Sequence, residues 1–381
     1  MPAWRTHPGD AADAMRCRLQ RFTLTKAVPL AISRGTTAVV EHLLLSVEHE
    51  GVTGLGESGG FDTGHRRFDS EAIAAELEAV LPHLEALEPE PIQAVEPLLE
   101  SLSPPARCAV DLALLDWQGK RLGQSLGRLW GLDARRGAAT SVTLGLGSVE
   151  AVGERLQRWW QLLPATRIKL KLGSPAGLDH DRALLAAVAE ALDRREQELA
   201  VPLELQVDAN GGWDAEGART MAALLAERNV VLLEQPLPAR EDPEADCAAF
   251  AALELDCPIP LVADESCWNL ADLVRLAPYV DGVNIKLLKS GGLSEALLMA
   301  RAAERLGLGV MVGCYSDSAL LNGAAAQLLP LVRWPDLDSH LNLVDDPFEG
   351  PRLAGDQLRV GSGAGLGVNW RPEGPGQGSA G

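Results

Sequence analysis

The runs RIKLKLG (Arg167–Gly173), LELQVDANGG (Leu203–Gly212), VVLLEQP (Val230–Pro236) and IPLVADES (Ile259–Ser266) decide the fold of this chain. Each is a short apolar run that ends in polar residues, and each is followed by a longer stretch with apolar residues at helical spacing. Outward from them the same texture holds in TSVTLGLG (Thr140–Gly147), GVNIKLLKSGG (Gly282–Gly292), GVMVGCYSDS (Gly309–Ser318) and LDSHLNL (Leu337–Leu343), which makes eight strands. Eight strand-plus-helix units close into an α/β fold of the (β/α)8, or TIM, barrel type, with its active site at the C-terminal ends of the strands. A doubly wound open sheet is the alternative, but no GxGxxG follows the first strand.

Before the barrel the texture differs. RFTLTKAVPL (Arg21–Leu30) and VVEHLLLSVEHEG (Val39–Gly51) alternate apolar and polar residues, and GVTGLGE (Gly51–Glu57) adds a turn and a third strand, so an antiparallel meander is expected. Two helices should follow, from about Asp69 to Leu87 and from about Ala106 to Trp130, giving an α+β domain over residues 17–136. Residues 1–16 and the glycine-rich 373–381 have no periodic apolar face and read as disordered tails.

Composition narrows the partners. The net charge of −19 argues against nucleic acid, which demands a concentrated positive surface, and leaves small molecules as partners. The sequence lacks an apolar stretch long enough to cross a membrane and a signal-peptide core, so a cytoplasmic protein is expected. Six scattered cysteines without CxxC spacing suit reduced thiols. Of 34 basic residues only Lys26, Lys120, Lys169, Lys171, Lys286 and Lys289 are lysine. A lysine can surrender its proton where arginine cannot, so its retention in an arginine-biased chain poses a chemical question.

Asp208, Glu234 and Asp264 end three consecutive strands. A lone acid in such a place is normally solvated or capping, but three in register repel one another unless a cation bridges them, and oxygen-only ligands favour a hard ion such as Mg2+. Lys169 and Lys171 alternate with apolar neighbours, so both point to one strand face, which in a barrel can be the interior. Lys286 ends the sixth strand, nearly opposite the second, so the two sides can flank a substrate. Pairing with a nearby carboxylate is the competing reading for each lysine, and for Lys289 it is preferred.

KLK, DAN, EQP, ADES and NIKLLKSGG, on the second to sixth strands in order, resemble the muconate-lactonizing-enzyme subgroup of the enolase superfamily over nearly the whole chain. The resemblance implies that the N-terminal domain caps a barrel of residues 137–345. A segment at 346–372 returns to the cap, while the GLGESGG and ISRGT loops close over the barrel mouth. It implies one Mg2+ per subunit on Asp208, Glu234 and Asp264, with Lys171 and Lys286 as acid/base partners and Lys169 as a second cation beside the substrate carboxylate. Neighbouring cations should lower lysine basicity and free one amine to act as base. The family often forms symmetric assemblies, so a homo-oligomer is admitted.

Within the subgroup the eighth-strand sequence RWPDLDSHL discriminates, because Asp336 and Asp338 fall on one side of a strand. They resemble the DxD of dipeptide epimerases, which implies that the pair holds the free α-ammonium of a dipeptide. Two carboxylates suit a group with three donors. The expected reaction is then epimerisation at the C-terminal residue's α-carbon by two-base proton transfer through a metal-stabilised enediolate. N-acylamino acid racemisation, succinylbenzoate synthesis and muconate cycloisomerisation are the alternatives, as is an inactive barrel serving as a binding module. Thr143, Cys314 and Tyr315 fall where the family places substrate contacts. Side-chain preference stays open: Arg34 suits an acidic dipeptide, and Asp317 or Asp62 a cationic one.

Overall fold

The computed structural model describes residues 14–90, 92–361 and 363–371. The tail expected at 373–381, and residues 1–13 of the one expected at 1–16, lie outside the described residues. Met15 is already buried in the core, and Arg16 opens the first strand.

The expected meander is present. Strands β1 (Arg16–Ile32), β2 (Gly35–His49) and β3 (Val52–Gly59) form one antiparallel sheet. The β1–β2 register shifts between Thr25 and Leu30, where Pro29 has no N–H to offer a ladder. Leu43, Leu45 and Val47 alternate onto the face covered by helices α1 (Ser70–Leu84), α2 (Ile92–Leu99) and α3 (Pro104–Arg121). Two differences from the sequence reading are local: α2 is an additional helix, and the helix expected to reach Trp130 stops at Arg121. Gly123, at φ 65°, turns the chain there, and a four-residue helix, Leu126–Leu129, follows.

GLGESGG is mostly strand rather than loop, and its glycines have a packing reason. A Cβ on Gly56 would stand 1.9 Å from Ala109 O, and one on Gly54 2.0 Å from Ala113 O, so α3 lies directly on β3. Glu57, the next residue of β3, is fully buried, and its side chain joins the cap to the barrel. Its carboxylate contacts His42 Nδ1 at 2.7 Å and accepts from Ser318 N (3.2 Å) and Leu321 N (3.1 Å), two donors at the start of the barrel helix Ala319–Ala326. Such donors have no partner within their own helix.

The barrel strands are β4 (Ser141–Leu144), β5 (Arg167–Lys171), β6 (Glu204–Asp208), β7 (Leu233–Glu234), β8 (Leu261–Ala263), β9 (Gly282–Ile285), β10 (Gly309–Gly313) and β11 (Trp334–Asp336). All eight run in sequence order in one sheet, joined by parallel ladders. The seam between β11 and β4 is bridged by Leu337 N donating to Thr140 Oγ1 at 3.0 Å and by Ser141 Oγ donating to Asp336 Oδ1 at 2.6 Å. This is the expected barrel with its antiparallel cap.

The eighth strand is displaced from its expected position: Trp334–Asp336 pairs, whereas Ser339–Asn342 turns as a 3-10 helix. Strand period explains the choice. Two residues before Glu234, Asp264 and Asp336 stand Leu232, Val262 and Trp334, and these three pack with Met311 into one buried cluster. Pairing at Trp334 therefore completes an apolar layer in the barrel and lifts the acids above it.

The C-terminal segment lies against the cap. Phe348–Glu349 pairs antiparallel with Asn369–Trp370, Phe348 meets Phe22 of β1 edge-on at 5.8 Å, and Leu366 N donates to Asp116 Oδ1 of α3 at 2.8 Å. No helix among the described residues is long and apolar enough to cross a membrane.

Candidate active site

The ladders themselves assemble the acids. Lys171 pairs with Asp208 in register, and Asp208 with Glu234, so neighbouring strands present them side by side. Asp264 follows β8 directly. All three acids are fully buried, and one carboxylate oxygen from each lies within 4.8 Å of the others.

Ammonium groups surround them. Lys169 Nζ lies 2.6 Å from Glu234 Oε2, 2.7 Å from Asp336 Oδ2 and 3.4 Å from Asp208 Oδ2. Lys171 Nζ lies 2.5 Å from Asp208 Oδ2, and Lys286 Nζ 2.7 Å from Asp264 Oδ2. Lys289 Nζ contacts the other Asp264 oxygen at 2.7 Å and donates to Asn284 O at 3.0 Å, the pairing expected of it. Glu234 Oε2 meets the Lys169 ammonium, and Asn284 Nδ2 donates to its other oxygen at 2.7 Å. Three converging buried carboxylates, an all-oxygen donor set, fit a hard divalent cation.

Among the protein's own groups, the electrostatics run against one expectation. Burial alone would push the Lys169 ammonium down, but Asp336, Glu234 and Asp208 outweigh it and hold the group well above the ordinary lysine value. Burial also works against the Lys286 charge, but Asp264, Tyr315, Glu234 and Glu265 together outweigh it and hold that group high. Carboxylates, not neighbouring cations, set the sign here, because they are the nearer charges. Burial and the adjacent Asp208 push Glu234 up. Asp264 is held well below the usual carboxylate range, because Lys286 and Lys289 more than offset its burial.

On the far side of the ring, Asp336 is held by Lys169 and Ser141, while Asp338 Oδ2 accepts from Thr143 N at 2.6 Å. Asp338 sits beyond the strand, at φ −103° and ψ −7°, so strand alternation does not place it and the Thr143 amide does. Burial first, then Asp336, pushes its pKa up to about 6. Cys314 Sγ donates to Asp336 O at 3.2 Å, and burial raises that thiol. Tyr315 lies under Lys286, whose Nζ stands 4.4 Å from the ring centroid, and stacks on Phe61 at 4.3 Å.

The ISRGT loop does reach the barrel mouth. Arg34 Nη1 donates to Asn210 O at 2.9 Å, and Nη2 to Glu265 Oε1 at 3.0 Å. Asp317 is buried and pushed up to about 7 by that burial, and its Oδ2 accepts from Tyr315 N. Asp62 is exposed and accepts from Gly64 N in its own hairpin. Sequence reasoning passed over Ser141, Asn210, Glu265 and Asn284. A polar residue inside or directly after an otherwise apolar strand was the available signal for each.

A (β/α)8 barrel with an antiparallel cap and this rim of acids and lysines has the architecture of the enolase superfamily. Residues 17–131 match the mandelate racemase / muconate lactonizing enzyme N-terminal domain and residues 151–374 the enolase C-terminal domain-like family, and the chain belongs to that family. It is 35% identical over 96% of its length, and 98% of the relative's, to a hydrophobic dipeptide epimerase of a Flavobacteria bacterium. It is 38% identical to another from Roseobacter litoralis, covering 88% of this chain and 93% of that one. A dipeptide epimerase from Methylococcus capsulatus, solved with Mg and L-Arg-D-Lys, is similar with a TM-score of 0.82 and 27% identity, over 94% of this chain and all (100%) of that one.

Proposed function

We propose that this protein is a Mg2+-dependent dipeptide epimerase that inverts the α-carbon of the dipeptide's C-terminal residue. The observation that carries the reading is the division of the barrel rim: an acid trio on β6–β8, a second acid pair at β11, and a lysine on each side between them. A dipeptide matches that division, with its carboxylate at the trio, its α-ammonium at Asp336 and Asp338, and its second α-carbon between Lys171 and Lys286. The relatives' activities and the Mg and dipeptide bound in a related structure support it.

Asp208, Glu234 and Asp264 are the residues that would hold the ion, which when bound supplies positive charge to the substrate carboxylate as the α-proton leaves. The rest falls to the chain. Lys171 takes the proton from one face while Lys286 returns one to the other, and the roles exchange for the reverse reaction. Lys169, held charged by three acids, adds a fixed cation beside the carboxylate. The apolar layer of Leu232, Val262, Met311 and Trp334 closes the floor to water.

Separate substitutions test this. Lys171→Ala should abolish α-proton exchange in D2O from one stereoisomer and Lys286→Ala from the other, with epimerisation lost in both. Interconversion at the parent rate by either variant would remove that lysine from the mechanism.

A further inference from the structure

We infer that the cavity between the cap and the metal-side strand ends receives a primary carboxamide, so that the preferred substrates carry glutamine as their second residue. The inference rests on the epimerase reading and names the side chain which that reading leaves open. The cavity, of about 420 Å3, is lined among others by Arg34, His65, Asn210, Gln235, Pro238 and Glu265. Asn210 and Glu265 lie two residues and one residue beyond Asp208 and Asp264. The cavity is therefore beside the acid trio, at the end where the epimerase reading puts the dipeptide's carboxylate and second residue.

Three buried polar atoms of these lining side chains have no hydrogen-bond partner: Arg34 Nε, Asn210 Oδ1 and Glu265 Oε2. The remaining polar atoms of the same side chains are engaged. Arg34 uses Nη1 and Nη2 on Asn210 O and Glu265 Oε1, and Asn210 Nδ2 donates to Asp208 Oδ2 at 3.1 Å and to Glu265 Oε1 at 3.3 Å. Because both of those acceptors are carboxylate oxygens, the Asn210 amide orientation is fixed and its Oδ1 is the acceptor left over. Asn210 is 6% and Glu265 2% exposed, so water does not freely satisfy them.

One open donor and two open acceptors define the complement: one acceptor and two donors. A carboxamide has that set, with its oxygen for Arg34 Nε–H and its two N–H groups for Asn210 Oδ1 and Glu265 Oε2. A carboxylate side chain has no donor, and it would find the Arg34 charge already paired with Glu265. An ammonium or guanidinium has no acceptor for Nε–H and stands against the Arg34 charge. An aliphatic chain leaves all three atoms unpaired. The exposed hairpin supports the Arg34 stem, since a Cβ on Gly64, which lies at φ 89°, would meet Arg34 Cδ at 3.4 Å.

The test compares L-Ala-L-Gln, L-Ala-L-Met, L-Ala-L-Glu and L-Ala-L-Lys by 2H incorporation at the second α-carbon, with the Mg2+-loaded enzyme. Methionine matches glutamine in length and lacks the amide. Glutamine should exceed methionine at least tenfold in kcat/KM and the two charged residues by more, and Arg34→Met should bring the glutamine-to-methionine ratio close to one. Equal or better turnover of any of the other three, or an unchanged ratio in Arg34→Met, overturns the carboxamide pocket while leaving the epimerase reading standing. Exchange with none of the four, but with N-acetylamino acids, overturns both.

Discussion

Asp338 shows how one side chain links recognition to pH. Its carboxyl, buried beside Asp336, has its pKa pushed up to about 6. It is neutral below that value and anionic above it, and only the anion holds an ammonium well. With a free dipeptide, kcat/KM should therefore rise with pH through about 6, and Asp338→Asn should erase that limb. Loss of a charge-assisted contact worth about 1.5–3 kcal/mol should also lower kcat/KM roughly ten- to hundred-fold. Stability runs the other way. A carboxyl with a raised folded pKa stabilises the fold below its unfolded value and loses that contribution as pH rises through the folded one. At pH 7 the asparagine variant should thus melt no lower than the parent, and a clear drop in Tm would give Asp338 a structural role instead. N-acetylated dipeptides, which lack the cation, should not turn over.

At the scale of elements, the contact between β3 and α3 sets the cap's position, and glycine makes it possible. Gly56→Ala would place its Cβ 1.9 Å from Ala109 O, a helix backbone atom that cannot yield unless α3 moves. The expected cost is at or above the upper end of about 1–3 kcal/mol for overpacking, read as a lower urea midpoint. Gly153→Ala is the matched control. Gly153 lies inside the helix Val149–Leu162, has φ below zero and meets nothing within 4 Å, so alanine there should stabilise by up to about 1 kcal/mol through helix propensity. If the two substitutions shift the midpoint alike, close approach is not what glycine provides at Gly56.

For the whole molecule, the acid trio joins three strands of a ring, so an ion bound there stabilises the folded state by mass action. Mg2+ at about a hundred times its Kd should add about 2.7 kcal/mol, measured as a higher Tm without reference to turnover. Glu234→Gln should remove most of that rise, and excess EDTA should abolish exchange in the parent. A Tm and an activity both indifferent to EDTA would remove the metal from this protein.

The barrel was legible in the sequence because strand and helix periods are local: RIKLKLG and VVLLEQP announce their strands without reference to anything distant. The acid trio was legible for the same reason, since each member ends its own strand, and so was the opposition of Lys171 and Lys286, which follows from counting strands around a ring. The structure alone decided what depends on contacts between distant segments. Asp338 is positioned by the amide of Thr143, 195 residues away. The eighth strand pairs at Trp334 to complete an interior layer drawn from four different strand regions. Lys169 and Lys286 are held charged because folding brings carboxylates from other strands beside them, and Arg34 is tied to Glu265 across 231 residues. Periodicity depends on neighbours in the chain, whereas charge, desolvation and close packing depend on neighbours in space.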